Sequence, residues 1–96
     1  MATYVILSRF SPEAFGEPKD FTKLAEKVSA KIKSDCPGVQ WKQSFATLGR
    51  FDVVDVVESE DMRQVEKAAM IIRAYGRSST ETLVATPWTE FLAMLR

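Results

Sequence analysis

The chain has 96 residues, of which 46% are hydrophobic and 27% charged, and its 13 basic and 13 acidic residues cancel to a formal net charge of zero. That length suits one domain with one core, so residues 1–96 read as a single unit, and the charge balance offers nothing to attract nucleic acid or an anionic membrane. There is no histidine and only one cysteine, which excludes a histidine-held haem, a Ser-His-Asp or Cys-His nucleophile, a structural zinc site and an internal disulfide.

No apolar run reaches the roughly 18 residues of a membrane span. Met1-Ala2-Thr3-Tyr4 lacks the basic-then-apolar form of a signal peptide, and a lone thiol suits a cytoplasmic setting. No metal and no cofactor are expected.

Thr3 to Phe10 is β-branched and aromatic and predicts a first strand. Tyr4, Ile6, Ser8 and Phe10 share one face, and Val5, Leu7 and Arg9 the other. Both faces are mostly apolar, which places this strand centrally in its sheet. Ser11-Pro12-Glu13 has the residues of a single helical turn. From about Asp20 to Ser34, Phe21, Leu24, Ala25, Val28 and Ile32 fall at helical spacing, and Cys36-Pro37-Gly38 ends the helix. Lys19, Lys23, Lys27 and Lys31 recur every four residues and read as a solvated face.

Val39 to Leu48 predicts a second strand with one wetter face, near a sheet edge. Alternation puts Val39, Trp41, Phe45 and Thr47 on one side. Gly49-Arg50 reads as a tight turn into a third strand, Phe51 to Glu58. Asp61 with Gln64 has the form of a capping box for a second helix. That helix carries a seam of Val65, Ala69 and Ile72, with Met70 and Ile71 widening its apolar face. Gly76 stops it. A fourth strand, Ser78 to Ala85, follows. Thr86-Pro87 opens a short last helix with Trp88, Phe91, Leu92 and Leu95 at i, i+3, i+4, i+7.

The order β-α-β-β-α-β predicts an α+β, ferredoxin-like four-stranded antiparallel sheet with helices on one face and a short C-terminal helix. Leu48-Gly49-Arg50-Phe51-Asp52-Val53-Val54, Ser79-Thr80-Glu81-Thr82-Leu83 and Glu90-Phe91 resemble the GYD domain family over nearly the whole chain. Phe51 stands where that family's motif has tyrosine, keeping the ring and losing the hydroxyl. The resemblance implies a dimeric α/β-barrel type of assembly, in which open sheet faces of two subunits pack together. It implies almost nothing about activity.

Candidate site residues come from strands one to three. Gly49, Phe51 and Asp52 form the motif at the hairpin, where the Asp52 carboxylate reads as a lock accepting local backbone N–H bonds. Asp55 interrupts an apolar strand face, so it needs a partner such as Arg9 or else faces a wet cavity. Trp41 and Phe45 read as an aromatic patch. It either floors a pocket at the sheet face, with Tyr4, Arg9 and Asp55, or packs at a subunit interface. Cys36, at a helix C-terminus, is a poor nucleophile.

Two function classes follow. One is a non-enzymatic, oligomeric domain that binds a small molecule or regulates. The other is a cofactor-independent enzyme, of monooxygenase or isomerase type, acting on a small organic substrate in a sheet-face pocket. The residues favour the first, because no convergent acid–base pair and no mechanistic spacing is visible. A homo-oligomer, a dimer at the smallest, is expected from the apolar surplus: Val54 and Val56 opposite Phe51, Val53 and Val57, plus the last helix, Met70 and Ile71.

Overall fold

The structure is a computed structural model, of which residues 1–11 and 16–96 are described. The turn expected at Ser11-Pro12-Glu13 lies largely outside the described residues. The elements are β1 (Ala2–Phe10), α1 (Pro18–Asp35), β2 (Val39–Ala46), β3 (Val53–Ser59), α2 (Met62–Gly76), β4 (Ser78–Ala85) and α3 (Trp88–Met94). The strands form one antiparallel sheet in the order β2-β3-β1-β4. This is the ferredoxin-like arrangement that the element order predicts.

β1 is central because both its faces can be covered. Tyr4, Ile6 and Ser8 are buried on the helix side, while Val5 and Leu7 are half-buried on the other. Tyr4, Ile6 and Val57 meet Ile32 and Cys36 from α1 and Val65, Ala68, Ile71 and Ile72 from α2 in the core. Each fully buried aliphatic side chain of this kind contributes about 1.5–3 kcal/mol. Ile71 therefore belongs to this core and not to a surplus for assembly; Met70 is the exposed one.

α1 begins at Pro18, two residues before the expected start, because proline suits the first helical turn, where its missing N–H costs nothing. The helix closes with the Cys36 N–H donating to the Ile32 carbonyl at 2.8 Å. Its lysine face is more than solvated charge. Lys31 pairs with Asp35 at 2.9 Å, and Lys27 and Lys31 stand over the Tyr75 ring of α2.

Four local readings change in three dimensions. The hairpin is not a two-residue turn: residues 47–52 form a loop, closed by Thr47 N–H to the Asp52 carbonyl and by Thr47 Oγ1–H to the Phe51 carbonyl. The Asp61 carboxylate caps α2 through the Arg63 N–H, but Gln64 does not complete the box. The Asp61 N–H goes to Ser59 Oγ instead. Gly76 is the last helical residue, and Arg77 takes the left-handed conformation after it, φ 49°. Glycine is needed at 76 for space, since a Cβ there would stand 3.3 Å from the Phe10 ring. Finally, β2 carries a bulge. Trp41 pairs with Val57 and Gln43 with Val56, which leaves Lys42 as the extra residue.

The backbone of α3 comes close to no other described element. It helps give the molecule an extent of 51 Å and a radius of gyration of 14.2 Å, against about 12–13 Å for a compact chain of this size. No described helix is long and apolar enough to cross a membrane.

Candidate functional site

α2 lies close on the sheet, whereas α1 stands further off, its backbone close to α2 alone. Ile32 reaches the core and Phe21 meets the Phe10 ring of β1 at 4.9 Å between centroids, but Phe21, Leu24 and Val28 stay only half-buried, so the β2 side of the sheet is partly covered. Between α1 and β1, β2 and β3 lies a cavity of about 410 Å³. Phe10, Phe21, Leu24, Val28, Ile32 and Val39 give it an apolar lining, and Ser8, Ser44, Trp41 and Asp55 are the polar points on its sheet side. The size and the mostly apolar lining with a few convergent polar groups are those of a small-molecule site.

The polar points share one sheet face for a traceable reason. Along β3, Val53, Asp55 and Val57 alternate toward the helices. In the register, Asp55 lies beside Ile6 of β1 and Ser44 of β2. The bulge at Lys42 shifts the alternation of β2, so Trp41 before it and Ser44 after it face the same way. The Ser44 hydroxyl donates to Asp55 Oδ1 at 2.6 Å, and the Trp41 indole N–H donates to the same oxygen at 3.1 Å and to Ser44 Oγ at 3.0 Å. Asp55 Oδ2 accepts no hydrogen bond among the described residues.

Asp55 is 6% exposed. Burial pushes its carboxyl above the usual range, and the bonds from Ser44 and Trp41 pull it back in part. Among the described residues no cation lies within ion-pair distance of it. The ion pairs among the described residues are Lys19–Glu17 and Lys31–Asp35. Burial, first of all, also pushes the Cys36 thiol up, so it lines the cavity as a neutral group and not as a thiolate. Ser8, 1% exposed, has a hydroxyl with no partner. Among the described residues, no three Cys, Asp or Glu side chains gather as a metal site.

The sequence-predicted residues divide between the two faces. Trp41 and Asp55 come together. Arg9 does not reach Asp55: it pairs in register with Ser79, alternates away from Ser8, and joins Arg73 and Arg77 around a shallow groove at the end of the sheet. Tyr4 is buried in the core and does not line the cavity. Phe45 borders the cavity, yet it pairs with Val54 and so belongs to the open face, apart from Trp41. The cavity thus lies under α1, not on the open face. Asp52 is no local lock either. Its carboxylate accepts the Phe10 N–H from β1 at 2.8 Å. Gly49, φ 153°, lies in backbone space that glycine alone enters readily, with open space around it. Phe51 is half-buried beside the Arg50 guanidinium.

Ser8 and Ser44 were missed by sequence reasoning. Ser8 had a signal, a hydroxyl within the apolar row Tyr4, Ile6, Phe10. Ser44 had none, because the bulge moved it to this face.

Residues 4–95 match the family model of the GYD domain. The chain is 29% identical over 96 residues, the full length of both, to a glutamine synthetase and cystathionine beta-lyase binding protein of Thermus thermophilus. Its fold is similar to that of a hypothetical protein from Pyrococcus horikoshii (TM-score 0.55, 21% identity, covering 91% of this chain and 92% of that one). It is also similar to an ethyl tert-butyl ether d (ethd) family protein from Bacillus halodurans (TM-score 0.58, 11% identity, covering 90% of this chain and 100% of that one).

Proposed function

We propose, from the premise that this chain belongs to the GYD domain family, that it is a non-enzymatic, single-domain binding or regulatory protein working as a homodimer in the cytoplasm, with a small-molecule site under α1. The cavity of about 410 Å³ carries this reading: it is apolar, bordered by one helix that stands off the sheet, and has one buried carboxylate held by Trp41 and Ser44. A binding role also agrees with the relative from Thermus thermophilus, whose name describes a protein that binds two enzymes.

The dimer rests on the open sheet face, where Val5, Leu7, Val54 and Val56 are only half-buried and Phe45 and Leu83 are exposed. Apolar surface of this kind marks an interface. The enzyme reading is weaker because acid–base chemistry needs a second poised group, and Asp55 meets only hydroxyl and indole donors.

Native mass spectrometry of protein purified from its own host tests the proposal. A retained small molecule is expected on the wild type and not on Ala25→Trp, which fills the cavity from α1. Equal retention by a folded Ala25→Trp would move the site elsewhere.

A further inference from the structure

Two polar atoms in the cavity, Ser8 Oγ and Asp55 Oδ2, have no hydrogen-bond partner among the described residues, and their residues are neighbours. Ser8 pairs in register with Val53, and Asp55 follows Val53 two residues on, on the same face. Ser8 and Asp55 are therefore diagonal neighbours across β1 and β3, within reach of one small group placed between them. Ser8 Oγ is buried with no hydrogen-bond partner. On Asp55, both protein donors end on Oδ1 and none reaches Oδ2. A buried carboxylate is ordinarily paired with a cation, and here none of the described residues supplies one.

We infer that the cavity takes a small apolar molecule ending in a protonated amine, whose ammonium group donates to Asp55 Oδ2 and Ser8 Oγ while its body lies against Phe10, Phe21, Leu24 and Val28. This rests on the cavity being a ligand site, and it adds the ligand's charge and head group. An ammonium supplies up to three donors and the missing counter-charge. A carboxylate-bearing ligand would bring a like charge against Asp55 in a site of low dielectric. Among the described residues the other ionisable lining groups are Lys33 and Cys36, at the C-terminal end of α1, and the described lining residues of β1, β2 and α2 carry none. Lys33 is exposed and makes no ion pair with Asp55.

The test is a matched series on the full chain: 4-phenylbutylamine, 4-phenylbutanol and 4-phenylbutyrate, followed by the indole signal of Trp41 in NMR and by calorimetry. The amine is expected to bind at least about tenfold more tightly than the alcohol, the butyrate weakest of all. Asp55→Asn, which keeps an oxygen for Ser44 and Trp41, is expected to abolish the preference for amine. Ser8→Ala is expected to weaken the amine more than the alcohol. Amine affinity is expected to fall on acidification as Asp55 takes up a proton. An alcohol that binds as tightly as the amine, or a preference that survives in Asp55→Asn, would overturn the amine assignment while leaving the cavity as a ligand site. If all three probes fail to perturb Trp41, both the assignment and the cavity reading fall.

Discussion

The backbone N–H of Phe10 donates to the Asp52 carboxylate at 2.8 Å, joining two residues 42 positions apart. The Asp52 N–H in turn donates to the Ser8 carbonyl at 2.8 Å. The regular β1–β3 ladder ends at Ser8 opposite Val53, so a side chain takes the place of the next backbone carbonyl and prolongs the pairing by one rung. The aspartate of the hairpin motif thereby ties the loop 47–52 to the centre of the sheet.

Removing that tie has a predictable cost. Asp52→Ala leaves the Phe10 N–H unpaired in a partly buried place and is expected to lower stability by about 1–3 kcal/mol. Asp52→Asn keeps an acceptor and is expected to cost less. Urea denaturation with an unchanged m-value checks this. An Asp52→Ala protein as stable as the wild type would reduce the bond to a surface contact.

Gly49→Ala tests the same loop by another route. Nothing lies within 4 Å of a Cβ built at Gly49, so its φ of 153° is the whole obstacle. Forcing a side chain into that backbone region is expected to cost about 1–3 kcal/mol. Gly16, which also has open space around it but no unusual φ, serves as the control: Gly16→Ala is expected to be nearly neutral. Comparing the two in thermal melts separates backbone strain from the general effect of replacing a glycine.

Much of the fold was legible because its signals are local. Proline and glycine mark the ends of α1 and the start of α3, and the periodicity of β1 and α2 shows which side chains face inward. The site was less legible, and Lys42 shows why. A bulge can hold ordinary residues, so nothing in Trp41-Lys42-Gln43-Ser44 announces that alternation breaks there. One extra residue sent Phe45 to the open face and brought Ser44 to Asp55. The stand-off of α1 is likewise a property of three-dimensional packing: its stripe of Phe21, Leu24, Val28 and Ile32 looks the same whether it seals a sheet or borders a cavity. The left-handed Arg77 was hidden for a related reason. Gly76 carried the usual helix-stop signal, but the Phe10 ring claims it for close packing.

Asp55 should leave a signature in the pH dependence of stability. Burial raises its folded-state pKa, so the folded chain holds that proton more firmly than the unfolded chain does. The stability this contributes is present below the ordinary carboxylate range and is lost as pH rises through the raised folded value. Asp55→Asn removes the ionisation, and it is expected to be more stable than the wild type at pH 8, with the difference shrinking toward pH 3. Asp35 works in the opposite direction, its carboxyl lowered chiefly by the hydrogen bond from Lys31, but it is common to both proteins and cancels. Thermal melts of the pair across that range give the answer. A gap that is constant with pH would mean that Asp55 does not titrate differently on folding.

α3 separates folding from assembly. Trp88 is 69% exposed and stacks only on its neighbour Phe91, at 5.7 Å between ring centroids. Leu95 and Met94 are exposed as well, no α3 residue is fully buried, and the α3 backbone comes close to no other described element. A side chain with so little intrachain burial contributes little to folding, so Trp88→Ala is expected to change the stability of the isolated fold by no more than about 0.5 kcal/mol. The proposed dimer, by contrast, is expected to bury on the order of 2,000 Å², with Val54, Val56 and Leu7 of the open sheet face at its centre and α3 extending it. Sedimentation equilibrium at micromolar concentration is expected to show a dimer for the wild type, a monomer for Val54→Asp and a weakened dimer for Trp88→Ala. Unfolding of the dissociated Val54→Asp chain, with and without Trp88→Ala, measures the folding contribution alone. A wild-type monomer would remove the open face as an interface, whereas a Trp88→Ala change that destabilises the monomer while leaving association untouched would assign α3 to the fold of one chain.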